Sequence, residues 1–479
     1  MLTLATFLIN AIANFAIGLA VAYLLGAEQF GVFALASAAG ALIQTLFLEW
    51  LRLSTNRFYG EKQGAVDAGL RATLDLVSGL IAVALSAAGL AFYLAGGAFG
   101  VSAIIAAMGP LIAVSNGIFD YRASIARTCF RHRRYAGLVL VKNGAALVLM
   151  LGGAWWWRRA DVVLIGLCLS AGAGILLSAR FYRDRRALAR PARLDLVRQF
   201  AAYGAPLVVS SLLIQANVFM TRAAVAHHYG IDESGRFSLA LDISLRLIAT
   251  IGSGLDLVVF QYAVRAEAER GIAAARDQLT RNIVIVTGIL LPATVGVWLA
   301  LPPLEALLVS ADFRESFDVY TLLLLPGLFC FGIVFYVVNP LFQIAHRTGP
   351  VTIAAAAGFI ATALVLFLVP GRDGGHGALS TSVGYGVNMV VMIALAARLA
   401  PVAVPWSDLA GIGVATLGMT LAALPIRALP AGEGAAGQAG LLAAIAIVGA
   451  GVYGALAVAM NIGGLRGMML ERFRKPAAA

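Results

Sequence analysis

Fourteen long apolar segments succeed one another along this chain of 479 residues. Each is close to the roughly 20 residues that an α-helix needs to cross about 30 Å of hydrocarbon. Hydrophobic residues make up 61% of the chain and charged residues 12%, a balance that favours lipid over water as the solvent. We therefore predict an all-α polytopic membrane protein with about 14 transmembrane helices. The predicted spans are 3–25, 31–50, 73–95, 101–119, 136–157, 162–180, 201–226, 236–262, 282–301, 319–340, 350–370, 377–399, 408–425 and 438–461.

One short segment of the sequence occurs twice. Gly26–Ala36 reads GAEQFGVFALA, and 204 residues later Gly230–Ala240 reads GIDESGRFSLA, with Glu28 matched by Asp232. Each copy lies between two apolar segments, so the repeated unit is a pair of helices joined by a short turn. An even number of helices separates the copies, which predicts two parallel repeats of the kind that transporters contain.

The repeat divides the chain into two six-helix bundles and an appendage. The basic segment between the bundles could be an amphipathic helix on the membrane surface or a solvated tether. Helices 13 and 14 have no counterpart in the first half. The predicted regions are an N-lobe at 1–182 with helices 1 to 6, a cytoplasmic linker at 183–199, a C-lobe at 200–400 with helices 7 to 12, helices 13 and 14 at 401–461, and a tail at 462–479.

The distribution of basic residues predicts the orientation. Of the 35 Lys and Arg, 26 fall in the loops and bordering helix ends on one predicted side and in the C-terminal tail, and only six fall in those on the other side. By the positive-inside rule, both termini are cytoplasmic and the protein is a multi-pass protein of the cell (inner) membrane. The net charge of +11 then reflects topology and attraction to anionic membrane lipids, and no nucleic acid is expected as a partner.

Motifs for direct enzymatic chemistry do not occur in the sequence. It contains no GxxxxGK[ST] phosphate-binding loop, no HExxH and no GxSxG. The three cysteines, Cys129, Cys168 and Cys330, are too scattered to predict a disulfide or a zinc site. We expect a protein that is not an enzyme, with no catalytic residues, no cofactor and no metal.

Charged residues within the predicted helices indicate where an ionic substrate would act, because such side chains are costly in hydrocarbon. Arg222 in helix 7 lies at a depth similar to that of Asp242 in helix 8, and Asp242 and Arg246 are four residues apart on one face. These three charges form either a neutralised packing cluster or a net positive cavity for an anionic headgroup. Asp242 and the isolated Asp256 are the candidates for ion coupling.

A second set of polar residues lies in the first half. Asn116 and Asp120 near the end of helix 4 are at a depth similar to that of Lys142 and Asn143 in helix 5. Lys142 either pairs with Asp120 as a structural element, which we favour, or contacts a phosphate group of the substrate.

Amide side chains occur in corresponding helices of the two repeats. Asn10 and Asn14 share one face of helix 1, Gln44 reaches a comparable depth in helix 2, and Gln215 and Asn217 lie in helix 7. They either line a polar cleft that binds sugar hydroxyls or join neighbouring helices by hydrogen bonds.

Four stretches of the chain resemble the polysaccharide transporter family. They are LLGAEQFGVFALA at Leu24–Ala36, FRHRRYAGLVLVKNG at Phe130–Gly144, YGAPLVVSSLL at Tyr203–Leu213 and HHYGIDESGRFSLA at His227–Ala240. The family comprises the O-antigen and exopolysaccharide flippases of the multidrug, oligosaccharidyl-lipid and polysaccharide exporter superfamily.

The resemblance implies two six-helix bundles in an inverted V that carry undecaprenyl-diphosphate-linked oligosaccharide from the inner to the outer leaflet by alternating access. It also implies a role in O-antigen, lipopolysaccharide or exopolysaccharide biosynthesis, with a polymerase and a chain-length complex as possible partners. Family members often have an Asp-Arg pair late in helix 7, where this chain has Thr221 and Arg222. The arginine is retained and the acid is not, so Asp242 is a candidate replacement.

Three other functions are compatible with the sequence. A multidrug or metabolite exporter of the same fold would favour an acidic cavity. A membrane polysaccharide polymerase or ligase would favour a long outer loop, and the chain has none. A scaffolding subunit of a polysaccharide assembly complex would need no buried charge.

Overall fold

The structure of the protein is a computed structural model. It describes residues 2–59, 68–98, 101–129, 131–182, 192–345, 347, 349–399, 401–430, 432 and 434–467. Almost all of these residues are helical. The described strands are a two-residue antiparallel pair, in which Gly97 lies opposite Ser102 and Ala98 opposite Val101.

Fifteen helices are numbered here in chain order. Two of them contain a π-helical turn, at Leu147–Leu151 and Val334–Val338. The bounds are α1 Leu2–Phe47, α2 Glu49–Phe58, α3 Ala68–Leu94, α4 Ala103–Thr128, α5 His132–Trp157, α6 Ala160–Tyr182, α7 Leu194–Tyr229, α8 Ile231–Arg270, α9 Ile272–Leu299, α10 Leu301–Leu308, α11 Ala311–Ile344, α12 Gly349–Leu368, α13 Gly375–Leu399, α14 Trp406–Arg427 and α15 Ala435–Ala459.

Each of the fourteen predicted spans lies largely on one of these helices, although 31–50 extends from α1 into α2 and 282–301 ends at the first residue of α10. Within the described residues, 11 helices are long and apolar enough to cross a membrane. One of them, Ile9–Phe47, covers most of two predicted spans, and Ala160–Leu176 is a shorter apolar helix. The predicted class, an all-α polytopic membrane protein, is confirmed.

The repeated segment forms the same turn in both copies. Gly26 has φ 72° and ψ 174° and bends α1, while Gly230 has φ 104° and ψ 160° and separates α7 from α8. Positive φ is sterically costly for residues with a Cβ atom, so glycine suits both positions. The first glycine of the repeated motif is therefore explained by the helix–turn–helix that the sequence predicts.

The second glycine of the motif brings the two copies into direct contact. A Cβ atom at Gly31 would overlap the carbonyl group of Ile231, and a Cβ atom at Gly235 would overlap the carbonyl group of Ala27. Ala27 and Ile231 are themselves equivalent positions of the repeat, so the contact is reciprocal. We call these four residues the glycine crossing.

By its internal contacts the chain forms two compact units, Met1–Ser238 and Leu239–Ala479. The predicted boundaries of the lobes, linker and tail remain predictions, and residues 183–191 and 468–479 lie outside the described residues. In the first unit, the start of α7 packs on α2. The Ser54 hydroxyl donates a hydrogen bond of 3.3 Å to the Phe200 carbonyl, and the Phe58 and Phe200 rings are 5.7 Å apart.

In the second unit, α14 and α15 pack against each other and against α9. The Tyr453 hydroxyl of α15 donates a hydrogen bond of 2.5 Å to the Gly288 carbonyl of α9. Ile412 and Ala415 of α14 are fully buried and belong to the same apolar cluster as Ala457. The two helices without a counterpart in the first half are thus an integral part of this unit.

Substitution at the glycine crossing should destabilise the first unit. In Gly31→Ala the new methyl group would meet backbone atoms, which cannot rotate away as a side chain can, and overpacking typically costs about 1–3 kcal/mol. Gly172→Ala in α6 is the matched control, because no described atom beyond its own helical turn lies within 4 Å of the added methyl group and alanine favours the helix. Thermal unfolding of the purified variants in detergent should give a lower Tm for Gly31→Ala than for Gly172→Ala. Equal values would contradict the contact.

Candidate functional site

Three asparagines in the first unit form one hydrogen-bonded network. Asn14 donates from Nδ2 to the main-chain oxygen of Asn10 at 2.7 Å and to Asn10 Oδ1 at 2.9 Å. Asn143 Nδ2 of α5 donates to the same Asn10 Oδ1 at 3.0 Å. The network joins α1 to α5 and combines two predicted site residues with a third that was not in the predicted site.

Gln44 and Asp120 form a second polar contact in this unit. Gln44 Nε2 of α1 donates to Asp120 Oδ2 of α4 at 2.8 Å. Arg52 and Glu49 of α2 pair with each other, with Arg52 Nε 2.8 Å from Glu49 Oε2. Their charges are close enough to act on Asp120. Asp120 is therefore hydrogen-bonded to the Gln44 amide and lies near the ion pair of Arg52 and Glu49.

Lys142 lies on an aromatic ring instead of a carboxylate. Its Nζ is 4.6 Å from the centre of the Phe119 ring. Among the described residues, no carboxylate oxygen lies within 4.0 Å of it. The ion pair between Lys142 and Asp120 that we favoured from the sequence is therefore not formed within 4.0 Å, because the ammonium is directed onto the Phe119 ring. The two charges still interact electrostatically.

We call seven of these residues, which belong to α1, α4 and α5, the polar layer of the first unit. Its members are Asn10, Asn14, Gln44, Phe119, Asp120, Lys142 and Asn143.

Arg222 lies beside the glycine crossing. Its side chain is only 5% exposed, and Nη1 donates a hydrogen bond of 3.1 Å to the Ala34 carbonyl in the other copy of the repeated segment. The Ser234 hydroxyl donates to the Arg222 carbonyl at 3.0 Å. In this conformation Arg222, which we predicted to contact an anion, therefore joins the two copies of the repeated segment.

The remaining amides of α7 are separate from the polar layer. Asn217 is 5% exposed, and its carbonyl accepts a hydrogen bond of 2.8 Å from the Thr221 hydroxyl. Gln215 is half-buried. Within the ranges that the structure describes, neither side chain hydrogen-bonds to an amide of α1, so the predicted two-walled cleft stays a prediction.

In the second unit, Arg246 of α8 is exposed and Asp242 is half-buried. No ion pair joins them in the part of the chain that is described, although they are four residues apart on one helix. The side chain of Asp256 lies outside the described residues. The ion-coupling role of Asp242 and Asp256 therefore stays a prediction.

Sequence reasoning missed a buried charge in the first unit. Arg71 is 2% exposed, its Nε is 2.8 Å from Asp75 Oδ2, and the Tyr121 hydroxyl donates to Asp75 Oδ1 at 2.9 Å. The guanidinium also lies 5.7 and 5.6 Å from the Tyr59 and Tyr121 ring centres. We had placed Arg71 in a loop, and the i, i+4 spacing of Arg71 and Asp75 was the signal for a helix.

A cavity of about 870 Å³ lies in the second unit, and no predicted site residue lines it. It is formed by α9, the start of α14, the end of α15 with the segment 462–465 that follows it, and Tyr262 of α8. Most of its wall is apolar, and its polar side chains include Gln278, Arg281 and Asp408. The Asp408 carboxylate is engaged with the main-chain N–H of Gly463 at 2.8 Å.

No protein-family model matches the chain, and no curated protein sequence matches it. Solved structures do match. The chain is similar to lipid II flippase MurJ in an inward closed conformation, at 14% identity and a TM-score of 0.67 over 95% of this chain and 99% of that one. It is also similar to a MATE family multidrug resistance transporter of the MOP superfamily, at 16% identity and a TM-score of 0.54 over 80% and 92%.

A MOP superfamily transporter from Pyrococcus furiosus gives a TM-score of 0.52 at 14% identity over 82% of this chain and 91% of that one. The chain shares the fold of these transporters. The polysaccharide transporter family that the sequence resembles remains part of the proposal below.

The buried Arg71 pair should contribute more to stability than an exposed one. Asp75→Ala removes the carboxylate that the buried Arg71 guanidinium and the Tyr121 hydroxyl share, and because Asp75 is itself 37% exposed this should cost about 1–3 kcal/mol. Asp161→Ala is the control, because its partner Arg159 is 63% exposed and such pairs contribute under about 1 kcal/mol. Chemical or thermal unfolding of both variants in detergent measures the difference. Similar losses in the two variants would show that the Arg71 network is not a stabilising core element.

Proposed function

We propose that the protein is a secondary transporter that moves undecaprenyl-diphosphate-linked oligosaccharide from the inner to the outer leaflet for O-antigen or exopolysaccharide synthesis. The observation that carries the proposal is the polar layer, where a lysine without a carboxylate partner in the described residues lies beside a cluster of amides. The sequence resemblance and the shared transporter fold support it.

Lys142 is suited to the diphosphate. An ammonium group within a helix bundle is costly unless it has a partner, and the face of a Phe ring compensates only part of that cost. Asp120 is already hydrogen-bonded to Gln44. An incoming diphosphate would supply the negative charge that Lys142 lacks at close range.

The amides are suited to the sugar. Asn10, Asn14 and Gln44 offer donors and acceptors without a formal charge, which is what neutral hydroxyl groups need. In the proposal, Gln215 and Asn217 of α7 extend this surface. The prenyl tail stays in the lipid, because its hydrocarbon gains nothing from a polar site.

Two arginines have distinct roles in the proposal. Arg246 is exposed and available to an anion. Arg222 must release the Ala34 carbonyl before it can bind a phosphate group, so its role is tied to a change at the glycine crossing. Asp242 and Asp256 are proposed to couple transport to an ion.

In the cell, the proposed transporter is a multi-pass protein of the inner membrane with both termini cytoplasmic. It acts without a cofactor and is not an enzyme. Its proposed partners are membrane lipids and a polysaccharide polymerase with its chain-length complex.

A drug or metabolite exporter is the second candidate, favoured by the likeness to a MATE transporter and by a carboxylate, Asp120, within the polar layer. The two candidates differ in the charge they require. An exporter of organic cations depends on Asp120, whereas a carrier of a diphosphate depends on Lys142.

Lys142→Met should abolish transport of the lipid-linked glycan while the protein remains in the membrane. The measurement is complementation of a host deletion strain, with a lectin on intact spheroplasts reporting outer glycan and on permeabilised spheroplasts reporting total glycan. Lys142→Arg keeps the charge and should retain partial transport. Asp120→Asn should affect transport less than Lys142→Met. The reverse order, or unchanged glycan in the deletion strain, would favour the exporter.

A further inference from the structure

We infer that Asn143 presents a hydrogen-bond acceptor to the substrate and thereby favours a carrier lipid that bears a sugar, whose hydroxyl or acetamido N–H group is the donor, over the bare diphosphate. The inference rests on the proposed function and deepens it. It follows from the direction of the hydrogen bonds in the asparagine network.

A main-chain carbonyl fixes that direction. The oxygen of Asn10 can only accept, so the Asn14 group facing it must be the NH₂ group, as the 2.7 Å bond shows. The same NH₂ group faces the Asn10 side chain, which must therefore turn its Oδ1 toward it. Asn143 meets that same oxygen, so it too must donate. The Asn143 amide is thereby oriented with its own oxygen pointing away from the network.

The oriented oxygen has no hydrogen-bond partner among the described residues. Asn143 is 4% exposed, and its Oδ1 is buried without a hydrogen bond in the described part of the chain. Asn116 Oδ1, on α4, is in the same condition. Leaving a buried acceptor unsatisfied costs free energy comparable to a lost hydrogen bond. A ligand that brings a donor recovers this loss, whereas phosphate and carboxylate groups bring only acceptors.

The position of Lys142 adds a second constraint. Lys142 and Asn143 are consecutive on α5, so their side chains diverge by roughly 100° around the helix axis. A cation and a neutral acceptor thus lie at nearly the same depth on adjacent faces of α5. This matches a substrate in which a diphosphate is joined directly to a sugar. Because the Asn143 oxygen is closed off in this conformation, the sugar reaches it only when the helices around it separate.

The experiment measures the affinity of the purified protein for two probes, undecaprenyl diphosphate and undecaprenyl diphosphate that carries one N-acetylglucosamine. The quantity of interest is the Kd of the bare diphosphate divided by the Kd of the glycosylated probe, a ratio that falls when the sugar contributes less to binding. Asn143→Leu should weaken binding of the glycosylated probe about tenfold and leave the bare diphosphate within about twofold. Lys142→Met should weaken both probes and leave the ratio unchanged.

Two further variants make the result interpretable. Asn14→Leu removes the bonds that orient the network, so it should lower the ratio less than Asn143→Leu does. It also serves if Asn143→Leu does not fold. Ser170→Ala is the control, because the Ser170 hydroxyl is buried but already bonded to the Leu167 carbonyl of its own helix at 2.7 Å.

An unchanged ratio in Asn143→Leu and Asn14→Leu, with both probes bound by the wild type, would overturn the inference and leave the proposed function intact. Equal weakening of both probes by Asn143→Leu would also overturn it, because the residue would then act only in packing. Failure of the wild type to bind either probe would overturn the proposed function, and the inference with it.

Discussion

The contact of main chain with main chain at the glycine crossing is the constraint around which the first unit is arranged. Gly31 and Gly235 have no side chains, so the two copies of the repeated turn approach as closely as backbones can. The neighbouring Arg222 reaches across to the Ala34 carbonyl only because the segments are this close. The positive φ of Gly26 and Gly230 aligns the helices on either side of the crossing.

Away from the crossing, several polar side chains within the helices of the first unit have partners close by. Gln44 holds Asp120, Arg71 pairs with Asp75, and Asn10 accepts from two other asparagines. Lys142 and the Asn143 oxygen differ from these groups. Each lacks, in the described residues, the partner that its chemistry calls for, and the two are neighbours in sequence. The proposed function and the further inference both derive from this difference.

The helices and the repeated turn were predictable because length, hydropathy and the motif with its two glycines are properties of the sequence itself. The partners of the polar residues could not be predicted from the sequence. Depth along a helix can be counted from its end, but Lys142 and Asp120 at one depth still differ in direction around their helices. In the structure, Asp120 accepts a hydrogen bond from Gln44. Arg246 and Asp242 form no ion pair with each other in the described residues, despite their favourable spacing. Asn143 was at the predicted depth, but only its charged neighbour Lys142 was assigned to the predicted site.

The reciprocity of the glycine crossing has a consequence for the origin of the chain. Residue 31 of one copy meets 231, and residue 235 of the other copy meets 27, which is the pattern of an isologous interface between identical subunits. A chain of half this length could form the same contact only by pairing with a second copy of itself. Gene fusion would then convert a dimer interface into an internal one, after which the two copies were free to diverge, as Ala27 and Ile231 have.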